Sequence, residues 1–140
     1  MMKLDDSWIG REGEIDGIPF LLRFRPHLQN FIDAESYNTR LEITWNYEST
    51  AASQMPGAHD HKLMVQVEDA LVSDFESDFI AVLAFAYTGH NQKVWTWYTC
   101  DIGLTGIRLN KVLAEFERLP IDLSSQNDPD WLDYLDVVEG

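Results

Sequence analysis

The sequence predicts an α+β domain built on an antiparallel sheet, and three observations carry that expectation. Period-two hydrophobic stretches recur along the chain, as half-buried strands require. Two stretches of helical period, Lys62 to Phe75 and Leu104 to Arg118, fall between them. Asp16-Gly17, Pro56-Gly57, Gly89 and Pro120 punctuate the boundaries. At 140 residues and 45% apolar composition, the chain is expected to form one domain over 1–140. That length buries enough surface for a core without staples.

Trp8 to Ile15 reads as a first strand. Asp16-Gly17 then suits a hairpin turn whose two central residues both have positive φ. Ile18 to Arg25 returns, with Phe20, Leu22 and Phe24 on one face and Leu21, Arg23 and Arg25 on the other. Pro19 places part of this strand at a sheet edge. His27 to Asn38 is expected as a loop with one helical turn. Thr39 to Tyr47 alternates, turning Leu41, Ile43, Trp45 and Tyr47 inward. The first long helix buries Leu63, Met64, Val67, Ala70 and Leu71.

Phe79 to Tyr87 is apolar on both faces, as a central strand covered on each side would be. After a loop at Gly89 to Gln92, Lys93 to Cys100 sets Trp95 and Trp97 on one face and Val94, Thr96 and Tyr98 on the other. The second long helix carries Leu109, Val112, Leu113 and Phe116, and Pro120 stops it. Ile121 to Leu123 would be a short last strand. Asp128-Pro129 resembles an N-cap with proline at the first helical position. A short helix with Trp131, Leu132 and Leu135 follows.

The order gives a ferredoxin-like βαββαβ core extended by an N-terminal hairpin, with the helices on one face. The other face is expected to hold Trp95 and Trp97. It would be either covered by the hairpin or the C-terminal segment, or open for interaction.

The formal net charge is -14, from 24 acids against 10 Lys and Arg. Leu63 to Gln92 holds Glu68, Asp69, Asp74, Glu76 and Asp78 and no Lys or Arg. Leu119 to Gly140 holds Asp122, Asp128, Asp130, Asp133, Asp136 and Glu139, again without a basic residue. Such a surface repels nucleic acid and anionic lipid and attracts basic partners. High net charge is also a plain solubility device. The longest apolar run, Phe79 to Tyr87, is far shorter than the ~20 residues that span a bilayer. Met1 to Gly10 has no signal-peptide pattern. A single cysteine, Cys100, rules out an intramolecular disulfide. Together these predict a cytoplasmic protein.

Several fragments carry a resemblance. They are Asp16-Gly17-Ile18-Pro19 with Arg23; Ile43-Thr44-Trp45-Asn46-Tyr47; and Met64 with Glu68-Asp69-Ala70-Leu71. Thr88-Gly89 followed by Trp95-Thr96-Trp97-Tyr98, and Asp128-Pro129 with Trp131 and Tyr134, complete the set. In this order the chain resembles a bacterial family, the domain of unknown function 695. The resemblance implies an α+β domain with no catalytic residues to carry over. Some relatives resemble chains that also carry a domain similar to the protein regulator of ribonuclease E, which implies protein binding by analogy only.

No complete catalytic or metal set emerges, and no cofactor is expected. His59-Asp60-His61 offers metal-type ligands but lacks a fourth, so Asp60 is expected to cap the helix instead. Cys100 with His90 as base is opposed by Asp101, whose charge raises a thiol pKa. Glu68 and Asp69 point about 100° apart on a helix and make no dyad, but either is placed to pair with Arg23 or to accept from Trp or Tyr. Gly103 to Gly106 opens a helix and reads as a plain turn capped by Thr105. The leading expectation is a non-enzymatic module that captures a basic protein, as an inhibitor or immunity-type antidote would. Glu68, Asp69, Asp74, Glu76, Asp78, Asp128, Asp130 and Asp133 would bind the partner. The alternative is a small ligand-binding domain or enzyme with a pocket between sheet and hairpin. Trp45, Trp95 and Trp97 would line it, with Arg23 and Asp101 as polar handles. An oligomerising domain is the third.

Overall fold

The computed structural model describes residues 2–140; Met1, the first residue of the expected domain, lies outside them. All six strands join one antiparallel sheet in the order β1-β2-β4-β5-β3-β6. They are β1 (Ile9–Ile15), β2 (Ile18–Phe24), β3 (Thr39–Asn46), β4 (Ala81–Gly89), β5 (Gln92–Thr99) and β6 (Ile121–Asn127). The helices are α1 (Gln29–Asp33), α2 (Ala58–Phe75), α3 (Ile102–Leu113) and α4 (Leu132–Glu139). The architecture is therefore α+β. No described helix is long and apolar enough to cross a membrane.

Turn chemistry sets the hairpins. Asp16 and Gly17 have φ of 54° and 79°, the paired positive values that a twisted two-residue hairpin needs. His90 and Asn91, at 53° and 63°, make the same kind of turn between β4 and β5. The strands thus run into what the sequence reads as a longer loop. Pro19 pairs with Glu14 of β1 and lies one residue beyond the β2–β4 ladder, which starts at Phe20 opposite Gly89. Its missing N–H costs that ladder nothing.

Two cores sandwich the sheet. On one face Leu41, Ile43, Trp45, Trp95, Trp97 and Leu83 pack against Met64, Val67, Leu71 and Phe75 of α2 and Leu109 of α3. On the other, Val82, Ala84 and Tyr98 meet Leu28, Phe31, Tyr37, Trp131 and Tyr134. The two long helices α2 and α3 share one face as expected, and the other is covered by the C-terminal segment, one of the expected alternatives, together with α1. One expectation is corrected. Trp95 and Trp97 sit on the α2–α3 face, because cross-strand partners share a face and theirs are Ile43 and Leu41. β4 is apolar on both sides, as expected, and its pairing with β5 shifts register between Leu83 and Phe85.

Helix ends also differ from the expected ones. α2 begins at Ala58, with Gly57 at the N-cap and no side-chain cap, so Asp60 lies inside the first turn. There its charge still suits the helix dipole. α3 begins at Ile102 because the Asp101 carboxylate accepts from the Leu104 N–H at 3.0 Å. Thr105 instead bonds Thr99 in the interior at 2.7 Å. α4 starts three residues after Pro129 rather than at it. Asp128 reaches forward all the same, accepting from the N–H groups of Leu132 (2.8 Å) and Asp133 (3.2 Å).

Candidate functional site

A cleft of about 370 Å3 opens where β2, β4, β5, the first half of α2 and the loop before it converge. Strand alternation sets Leu21 and Arg23 of β2 on the α2 side, with Thr88 of β4 and Lys93 of β5 beside them. His61, Met64, Val65 and Glu68 recur at i, i+3, i+4 and i+7, so one stripe of α2 faces the same space. Met55 and Pro56 close the loop side.

Its polar groups converge. Glu68 accepts from Arg23 Nη2 and, at 2.8 Å, from the Trp95 indole N–H. The Arg23 guanidinium also lies 4.7 Å from the centre of the Trp8 ring. Lys93 Nζ donates to Thr88 Oγ1 at 2.9 Å and has no carboxylate within ion-pair distance among the described residues. Burial pushes the Lys93 ammonium down to about 8, and Arg23 adds repulsion that Glu68 offsets in part. Two cations and one carboxylate therefore leave this cleft net positive on a chain of charge -14.

The carboxylates expected to recruit a partner are mostly engaged within the fold. Glu68 is held as above. Asp74 and Asp78 both bind Arg108, at 2.8 Å each. Glu76 is buried against Arg25 at 2.7 Å. Asp133 pairs with Arg40, and Asp128 accepts from the Tyr98 hydroxyl at 2.7 Å. Asp69 and Asp130 alone of that set are exposed and without a protein partner among the described residues.

The expected aromatic pocket is not assembled. Trp95 and Trp97 are fully buried, and Trp45 borders a separate groove with His59 and Glu117. Asp101 is spent on capping α3. Of that group only Arg23 reaches the cleft. Cys100 and His90 lie at opposite ends of β5, and His90 Nδ1 bonds the Tyr87 hydroxyl at 2.7 Å. Burial raises the Cys100 thiol pKa, and the charges of Asp101 and Asp78 raise it further. No group of three or more His, Cys, Asp or Glu among the described residues is arranged to hold a metal ion. The residue that sequence reasoning missed is Lys93. Its signal was present: alternation puts it on the same inward face as Trp95 and Trp97.

Residues 6–138 match the model of a family described as a family of unknown function, DUF695. The chain belongs to the DUF695 family. The match takes in every strand and nearly all of α4, so the cleft is built wholly from the DUF695 region. A search of curated proteins finds no match to this DUF695 chain.

Proposed function

We propose that this DUF695 chain is a non-enzymatic small-ligand-binding domain and that its site is the Arg23–Glu68–Lys93 cleft. The observation that carries the reading is Lys93, a partly buried ammonium whose one hydrogen-bond partner among the described residues is a neutral hydroxyl. Withdrawing a charge from water without a counter-ion is unfavourable. A fold keeps such a group where its charge serves binding. The volume falls in the lower part of the roughly 300–1,000 Å3 range of small-molecule sites.

Capture of a basic protein ranks second, because Asp69 and Asp130 are the only carboxylates of the expected set left outward and unengaged among the described residues. We also read β3 to β6 with α2 and α3 as a ferredoxin-like βαββαβ unit. Support comes from β5 lying between the two strands that α2 connects, and from β6 returning beside β3. The single cysteine supports a cytoplasmic setting.

The Trp95 indole N–H reports on the cleft through Glu68, whereas the Trp131 indole N–H, bonded to the Tyr37 carbonyl at 2.9 Å, lies on the far side of the sheet. Screening mixed small anions, cations and neutral compounds by NMR should move the Trp95 resonance saturably and leave Trp131 still. A screen in which nothing shifts Trp95 would remove the proposal.

Lys93→Met should stabilise the protein by about 1–2 kcal/mol at pH 7, since an apolar chain of similar length replaces a desolvated charge. Because folding lowers the Lys93 pKa from 10.5 to about 8, its penalty is complete below about pH 8 and disappears as pH approaches 10.5. Urea midpoints of the two proteins should therefore converge across that window. A variant no more stable than wild type at pH 7 would contradict the assignment.

A further inference from the structure

We propose that the cleft takes a small organic monocarboxylate, its carboxylate between Lys93 and Arg23 and its apolar body against Met55, Met64 and Val65. The inference rests on the cleft being a ligand site and goes on to name the ligand's chemistry.

Charge selects the class. Arg23, Lys93 and Glu68 sum to one positive charge, which a monoanion neutralises. A doubly charged phosphate would leave the cleft negative on a chain already at -14, where each further negative charge is repelled. A cationic ligand meets two cations against one carboxylate, of which Oε1 already accepts from Arg23 and Trp95 and only Oε2 is open among the described residues. Donors, by contrast, are in surplus. Arg23 gives Nη2 to Glu68, and among the described residues its Nε and Nη1 have no acceptor. Lys93 spends one of its three N–H groups on Thr88. A carboxylate takes several hydrogen bonds and suits this set.

The walls select the rest of the molecule. Met55 and Met64 have flexible thioether chains that adapt to an apolar body. Val65 is 46% exposed although apolar, so a ligand lying on it gains from covering it.

The test titrates wild-type protein with sodium hexanoate, hexan-1-ol, hexylamine and inorganic phosphate, following the Trp95 indole resonance and heat of binding. Hexanoate should bind saturably, and each other probe should bind ~10-fold more weakly or not at all, as expected when a buried charge loses its partner. Lys93→Met should weaken hexanoate by ~10-fold or more, and Lys93→Arg should retain it. Val65→Glu, at an exposed position that tolerates substitution, should abolish binding by adding a carboxylate to the wall. Arg23 from β2, Thr88 from β4, and Glu68 and His61 from α2 face Lys93. Wild-type affinity should fall above about pH 8, where Lys93 loses its proton, and Lys93→Arg should show no such fall.

N-acetyl-leucyl-leucine, run beside hexanoate, separates a peptide C-terminus from a free acid. Saturable binding by either supports the carboxylate assignment, and the tighter one gives its source. Phosphate or hexan-1-ol matching hexanoate would overturn the assignment while leaving the cleft a ligand site. Silence from every probe, with other compounds still moving Trp95, would do the same. Silence from every compound in both experiments would end both readings.

Discussion

Glu76→Ala is expected to lower stability by about 3–5 kcal/mol, the usual cost of removing one member of a buried ion pair. Glu76 and Arg25 have side chains only 6% and 2% exposed. The two Glu76 oxygens accept from Arg25 Nη1 (2.7 Å) and Nη2 (3.0 Å), and Oε2 also accepts from the Leu83 N–H at 2.8 Å. The pair thus ties the end of α2 to β2 and β4. Truncation leaves the guanidinium buried, with exposed Asp6 as its remaining carboxylate, and strips the Leu83 N–H of its partner. Chemical denaturation should show the loss as a lowered midpoint. Replacing Arg25 and Glu76 together by Met should recover much of it, since no lone charge then remains. Asp69→Ala, at an exposed carboxylate one helix position from Glu68, should change stability by less than about 0.5 kcal/mol. Similar effects at Glu76 and Asp69 would contradict the network.

Trp131→Ala should cost about 3–5 kcal/mol and loosen α4 from the sheet. The indole stacks on Tyr98 with ring centres 3.9 Å apart and planes 7° from parallel. It meets Tyr134 edge-on at 5.4 Å. Its backbone is left-handed, φ 56°, a conformation that side chains of this size seldom adopt. Packing therefore holds a strained turn in place. Trp131→Gly removes the same contacts and relieves the backbone, so it should be less destabilising than Trp131→Ala by roughly 0.5–1 kcal/mol. Near-UV circular dichroism and urea midpoints of both variants check this. Equal or reversed midpoints would show that the left-handed turn stores no strain.

Local pattern was legible where period and turn residues agreed. The inward set Leu41, Ile43 and Trp45 of β3, with Tyr47 just beyond its end, is buried as its alternation predicts. The Asp16-Gly17 turn has the paired positive φ its residues call for. The possible Glu68 partners, Arg23 and a Trp, were readable because β2 and β5 alternate in ways that expose both to α2. Reading failed where the answer depended on distant pairing. Whether Trp95 faces α2 or α4 is decided by its register opposite Ile43, a residue far away in sequence. Asp74 and Asp78 look like free surface acids until Arg108 of α3 arrives beside them.

By itself the sequence determined the kinds of element, which residues of a strand share a face, and the excess of negative charge. Those properties follow from spacing and composition, which are local. The tertiary structure decided which face each helix covers, which carboxylates are neutralised and where a cation is left without a counter-charge. Ion pairing and desolvation depend on distances between side chains brought together only by folding, so no count along the chain reveals that Lys93 is desolvated with no carboxylate within ion-pair distance among the described residues.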